Sequence, residues 1–269
     1  MNDYIDRDGV ALHYEDPGSG PAVIFQHGLG GDAAQVREIF PDTPHVRRVT
    51  LECRAQGRSE PGSLADFSIA TFADDVVALA AKLGIAHTVV GGISMGAAIA
   101  LRLAVTRPDL ISALILMRPA WLFAPGPENM KPIALVAELL RRHDPMTARD
   151  AFEQSDTAKR LAAQAPDNLV SLRGYFARSD SAVTAALLGA IAADGPRVSE
   201  DAARRIAVPT LVIGCGQDQV HPLDLAKTLA STIPGAKLVE VTSKAVDRAR
   251  YVTESRAAIS AFLETVIRP

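Results

Sequence analysis

The pentapeptide Gly92-Ile93-Ser94-Met95-Gly96 combines residue types and spacing that could make a nucleophile. The apolar run "HTVVGG" before it reads as a buried strand, and "SMGAAIALRLAVTRP" after it reads as a small-residue helix stopped before Pro108. A G-x-S-x-G pattern between strand and helix holds its serine on a sharp turn. Glycines flank it because a larger neighbour would collide with the adjoining strand or helix. The helix N-terminus also offers N–H groups and a positive dipole end to a developing oxyanion. Ser94 is therefore the expected nucleophile, and such a serine needs a base to take its proton and an acid to orient that base.

This arrangement resembles that of α/β-hydrolase-fold proteins, and the resemblance covers nearly the whole chain apart from a helical insertion. It implies a serine hydrolase acting on a carboxylic ester or lactone, with no cofactor and no metal. In that family an H-G motif after an early strand supplies one oxyanion donor. Here "FQHGLGGD" follows "PAVIF", so the resemblance implies a hole formed by the backbone N–H groups of Leu29 and Met95. His27 is then a structural histidine bonded within its loop. "ECRAQGRSEPG" resembles the family's D-x-R-G-x-G-x-S loop, with Glu52 for Asp and Ala55-Gln56 altering the centre, and is assigned a structural role.

The triad partners follow the serine in the order acid, then histidine. "VPTLVIGCGQDQVHP" resembles the family's G-x-x-D-x-x-x-P pattern, which makes Asp218 the acid and puts Pro222 four residues on. One residue more than the pattern separates Gly214 from Asp218, so a looser turn is expected. The base belongs in the loop after the next strand, "AKLVEV". That loop reads "TSKAVDRA" and carries Ala245, 27 residues after the acid, where a histidine is expected. His13, His45 and His87 lie in or beside strands. His143 needs the insertion to fold over Ser94, and His221, three residues along the acid's own turn, is not expected to point its ring at the serine. The base is thus read as missing. A His→Ala replacement that stops turnover is the favoured explanation, since the strained elbow, acid and oxyanion glycines are all kept. Natural loss, leaving a non-catalytic ligand-binding homologue, is the alternative, beside a C–C bond or amide hydrolase of the same fold.

The elements that must hold these residues alternate along the chain. "VALHY", "PAVIFQHG", "HVRRVTLE", "HTVVGG", "ISALILM", "VPTLVIG" and "KLVEV" are strand-like, and amphipathic runs such as "IATFADDVVALAAKLG" lie between them. The pattern predicts an α/β fold with a mostly parallel sheet covered by helices on both faces. From about residue 118 helices follow one another without a strand. The expected division is a core of 1–118 and 200–269 with a helical cap of 119–199. Cap-side candidates for substrate contact are Arg118, Trp121, Arg173, Tyr175 and Arg178. The only tryptophan is Trp121, and Arg173/Phe176 and Tyr175/Arg178 stand at i,i+3 spacing. No all-apolar lid helix is visible, which favours a small, partly polar ester or lactone over a triglyceride.

Composition narrows the setting. A net charge of −3 with no Lys/Arg run gives no nucleic-acid or membrane-surface footprint. The two cysteines, Cys53 and Cys215, are too few for a disulfide framework. No apolar run approaches the ~20 residues of a membrane span, and the start "MNDYIDRDGV" is unlike a signal peptide. A cytoplasmic location, a small-molecule ester or lactone as partner and no nucleic acid or membrane are expected; a homodimer is possible.

Overall fold

Three consecutive strands that are buried along almost their whole length set the centre of the sheet. They are β5 (Thr88–Ile93), β6 (Ile111–Met117) and β7 (Thr210–Cys215), and all pair in parallel. Their near-continuous aliphatic runs are what a strand covered on both faces requires. The computed structural model describes residues 3–43 and 45–267. Around the centre lie β1 (Tyr4–Arg7), β2 (Val10–Glu15), β3 (Ala22–Gln26), β4 (Arg47–Leu51) and β8 (Lys237–Val241), in the order β1-β2-β4-β3-β5-β6-β7-β8. Only the β1–β2 and β2–β4 pairs are antiparallel. The short, polar β1 "YIDR" carries no run that the sequence made visible, and it joins as a half-exposed edge.

Alternate residues of each strand feed opposite cores. Val23 and Phe25 of β3, Ile115 and Met117 of β6, and Ile213 of β7 face α1 (Ala33–Ile39) and the C-terminal helix, through Val36, Ile39, Tyr251, Ile259 and Phe262. Ile24, Val90, Leu114, Leu116 and Val212 face the other way, onto α2 (Ile69–Lys82) and α3 (Met95–Thr106). Helix α2 starts at Ser68, whose hydroxyl caps Thr71 N–H. It stops just before Gly84 at φ +67°, the left-handed C-terminal position expected from the sequence.

Between β6 and β7 the chain is helical: α4 (Lys131–Arg142), α5 (Pro145–Gln154), α6 (Asp156–Gln164), α7 (Pro166–Tyr175), α8 (Ser181–Ala193) and the short α9 (Glu200–Ala203). Then α10 (Leu223–Thr232) links β7 to β8, and α11 (Arg248–Val266) closes the fold. The two ends of the insertion are joined by Trp121, whose indole N–H donates to the Asp194 carbonyl, and the insertion is tied to α2 by the Asp194 carboxylate, which accepts from Ile69 N–H. No helix among the described residues is long and apolar enough to cross a membrane.

Candidate active site

Ser94 stands between the end of β5 and the start of α3 at φ 55°, ψ −109°. That is a backbone conformation an L-residue adopts only at a cost of order 1–3 kcal/mol. Its neighbours show why glycine flanks it. A Cβ at Gly96 would lie 2.4 Å from the Gln26 carbonyl oxygen, and one at Gly92 would lie 2.7 Å from the Gly96 Cα. Ser94 N–H donates to the Met117 carbonyl of β6 at 2.9 Å, which pins the turn to the sheet.

The histidine beside Ser94 is one that the sequence reading set aside. His221 Nε2 lies 2.8 Å from Ser94 Oγ, and His221 Nδ1 lies 3.0 Å from each carboxylate oxygen of Asp218. Serine, histidine and carboxylate therefore form one hydrogen-bonded line. The turn geometry explains why three residues along the chain suffice. Gln217, at φ 51°, makes the extra residue of this turn a left-handed step. The His221 backbone N–H then donates to Asp218 Oδ1 at 2.9 Å, folding a turn in which residues three apart stack on one side. Ala245 sits half-buried in the turn after β8, its N–H donating to Ser243 Oγ at 3.2 Å.

Asp218 is held on every side. Asn168 Nδ2, from α7, donates to Oδ1 at 2.9 Å, while Arg118 Nε donates to Oδ2 at 2.8 Å with Nη2 alongside. The Asn168 side-chain Oδ1 in turn accepts from Gln219 N–H and Val220 N–H. Burial pushes the Asp218 carboxyl upward, but His221, Arg118 and the hydrogen bonds from His221 and Asn168 outweigh it and hold it well below the usual carboxylate range. Burial also lowers the His221 imidazole. Asp218 opposes that shift, Arg118 adds to it, and the net effect leaves the ring neutral at neutral pH. With Nδ1 bonded to the carboxylate, Nε2 is the free acceptor facing Ser94.

Leu29 lies in the loop after β3, and Met95 is the first residue of α3. Among the described residues neither backbone N–H is taken by a protein acceptor, so both stay available beside Ser94. Their loop is braced throughout. Gly28 N–H donates to Gln35, and Gly30 N–H to Gln56 at 2.6 Å. His27 is fully buried: its Nε2 accepts from Cys53 N–H, which leaves Nδ1–H to donate to the Gly28 carbonyl. The Glu52 carboxylate accepts from Ala33 and Arg58 N–H groups, the bracing role expected of that loop.

A cavity of about 290 Å³ opens over Ser94, lined by Leu29, His221, Arg118, Asn168, Tyr175 and Lys244 among others. Such a volume suits a small molecule. The profile of the alpha/beta hydrolase fold family matches residues 21–245. The chain belongs to that family. A protein of Rhizobium rhizogenes named "Putative carbamate hydrolase RutD" is 30% identical over 244 residues, 84% of this chain and 87% of its own length. The 2-hydroxymuconate semialdehyde hydrolase of Pseudomonas sp. strain CF600 is also 30% identical, over 86% of this chain and 82% of that one. The enol-lactonase of Burkholderia xenovorans LB400 superposes with a TM-score of 0.72 at 27% identity, covering 97% and 99% of the two chains.

Within this hydrolase fold the cap-side candidates separate. Tyr175 and Arg178 both reach the loop after β3. The Tyr175 hydroxyl donates to the Leu29 carbonyl at 2.9 Å, and Arg178 donates to the carbonyls of Gly30 and Ala55. Burial pushes the Tyr175 phenol up to about 12, so it stays a donor. Arg178 lies beyond the end of α7 rather than on the helix. Arg118 lines the cavity, but its guanidinium is bound to Asp218. Trp121 and Arg173 are brought elsewhere: Trp121 is buried, its indole joining the two ends of the insertion through the Asp194 carbonyl, and Arg173 forms a bidentate ion pair with Glu153. Neither lines the cavity. Among the described residues no group of three His, Cys, Asp or Glu side chains is arranged to hold a metal ion. Sequence reasoning missed Asn168 and Lys244, which carry no motif. It also set His221 aside, although the extra residue before Asp218 was the available signal.

Proposed function

We propose that this member of the hydrolase family is a serine hydrolase of small, partly polar carboxylic esters or lactones, with His221 rather than a residue at position 245 as its base. The observation that carries the reading is the 2.8 Å contact between His221 Nε2 and Ser94 Oγ, backed by Asp218. His221 takes the proton as Ser94 Oγ attacks the carbonyl carbon, and Asp218 stabilises the imidazolium that forms. The oxyanion is received by the N–H groups of Leu29 and Met95. His221 then returns the proton to the leaving alkoxide, and a water molecule, activated by the same ring, releases the acid from Ser94.

A cavity of about 290 Å³ favours compact acyl and alcohol parts, and the lactonase likeness points the same way. Relatives named for carbamate and semialdehyde hydrolysis keep amide-type and C–C bond cleavage as the second reading. Turnover of a short-chain ester and lactone panel by the chain and by its Ser94→Ala variant tests the first. Hydrolysis that Ser94→Ala lowers by roughly 10³-fold or more is expected. Binding of these compounds without Ser94-dependent turnover would instead support a non-catalytic receptor, the function left if Ala245 marks a lost base.

A further inference from the structure

The wall of the cavity is charged in one sense only. Among the described residues that line it are three cationic side chains, Arg118, Arg178 and Lys244, and no carboxylate. The acids that balance them stand behind the wall. Arg118 is bound to Asp218, and Asp167 lies 3.7 Å from both Arg118 Nη2 and Lys244 Nζ. Arg178 spends its donors on the two neutral carbonyls of Gly30 and Ala55.

Lys244 differs from the two arginines. Its ammonium sits 5.5 Å above the Tyr251 ring, and the carboxylate it pairs with, Asp167, is beyond hydrogen-bond distance at 3.7 Å. The side chain is only 19% exposed. A largely buried ammonium with three N–H donors, whose one ion-pair partner among the described residues stands off at 3.7 Å and is shared with Arg118, still has donors to offer an oxygen-rich anion arriving in the cavity. Burial and the Arg118 charge lower its pKa against the opposing Asp167 and Glu38, and an arriving anion favours the charged form.

Resting on the serine-hydrolase reading above, we propose that the substrate carries a carboxylate besides its scissile ester or lactone bond, and that Lys244 is the anchor for that carboxylate. Arg118 and Arg178 add to the positive potential but are fixed by their own partners. Lys244 thus selects the substrate, while Ser94 and His221 break its bond.

The test pairs p-nitrophenyl hydrogen glutarate and adipate with p-nitrophenyl pentanoate and hexanoate, which match them in chain length but end in methyl. The chain as it stands is expected to favour the anionic member. Lys244→Met is expected to lower the anionic-to-neutral ratio of kcat/KM by roughly tenfold or more, through KM, and Lys244→Arg to keep it. Lys244→Gln, which retains a polar side chain, guards against a folding failure of the Met variant. Calorimetric binding of glutarate to Ser94→Ala, with and without Lys244→Gln, reads the anchor without turnover. Lys244-dependent glutarate binding with no hydrolysis of any ester would sink the hydrolase reading and leave the anion site standing. Ester hydrolysis with an unchanged ratio, and glutarate binding indifferent to Lys244, would overturn the anchor.

Discussion

His221 and Ala245 together show how far a side chain's reach depends on the turn that carries it. The sequence pattern put the base after β8, where Ala245 stands, and counted His221 as too close to the acid to reach Ser94. One added residue before Asp218, taken up by the left-handed Gln217, changes that outcome and aims the ring at the serine. Ser94 and Asp218 were legible because strand-end motifs fix their place. The aim of a side chain three residues along an irregular turn was not, because it depends on Gln217 φ and on hydrogen bonds from Asn168 and Arg118, far away in the chain. The pH dependence follows at this scale. Only the neutral imidazole accepts a proton from Ser94, so kcat/KM should rise with pH through the His221 pKa. Burial, and then Arg118 against the opposing Asp218, place that rise below the ordinary histidine value of about 6.5. Arg118→Gln removes the lowering charge, and the acidic limb should move to higher pH. A limb that lies at the ordinary value and ignores Arg118→Gln would mean that another group titrates.

Among the elements, α7 does the most for the site. Its first turn supplies Asn168 to the acid–base turn, and its last residue, Tyr175, with Arg178 just beyond, braces the loop that carries Leu29. The i,i+3 spacing put Tyr175 and Arg178 on one helix, but α7 ends at Tyr175 and both meet the loop after β3 from its end; nothing in a single sequence relates α7 to that loop. Arg173, on the same helix, points instead at Glu153 of α5. Asn168→Ala strips an acceptor from two backbone N–H groups and a donor from the carboxylate, and each buried group left unpaired costs about 1–3 kcal/mol. The expected result is a fall in kcat of roughly tenfold with a small change in KM, measured by steady-state kinetics on a short ester. A lower melting temperature with kcat intact would reduce Asn168 to a structural tie.

At the scale of the whole molecule, a parallel sheet covered on both faces brings residues from distant parts of the chain to one end of its central strands. Ser94 follows β5, Arg118 follows β6, Asp218 and His221 follow β7, and Lys244 follows β8. This convergence is the general behaviour of open α/β sheets, where ligands bind beyond the C-terminal ends of the strands. The alternation of apolar runs and amphipathic helices made the sheet readable in advance, and the strand-free stretch announced the run of helices between β6 and β7. The antiparallel edge was not readable, because "YIDR" has neither the length nor the apolar alternation of a strand and is recruited by its pairing with β2. Trp121, a candidate pocket wall by its position after β6, is buried where it joins the two ends of the insertion.

The most direct measurement is kcat/KM on a short-chain ester for the chain itself, for His221→Ala and for Ala245→His, under one set of conditions. If the relay runs through His221, His221→Ala should lose roughly 10³-fold or more, and Ala245→His should gain nothing. Activity that survives His221→Ala, or that rises by orders of magnitude when histidine is placed at 245, would contradict the account and return the base to the loop after β8.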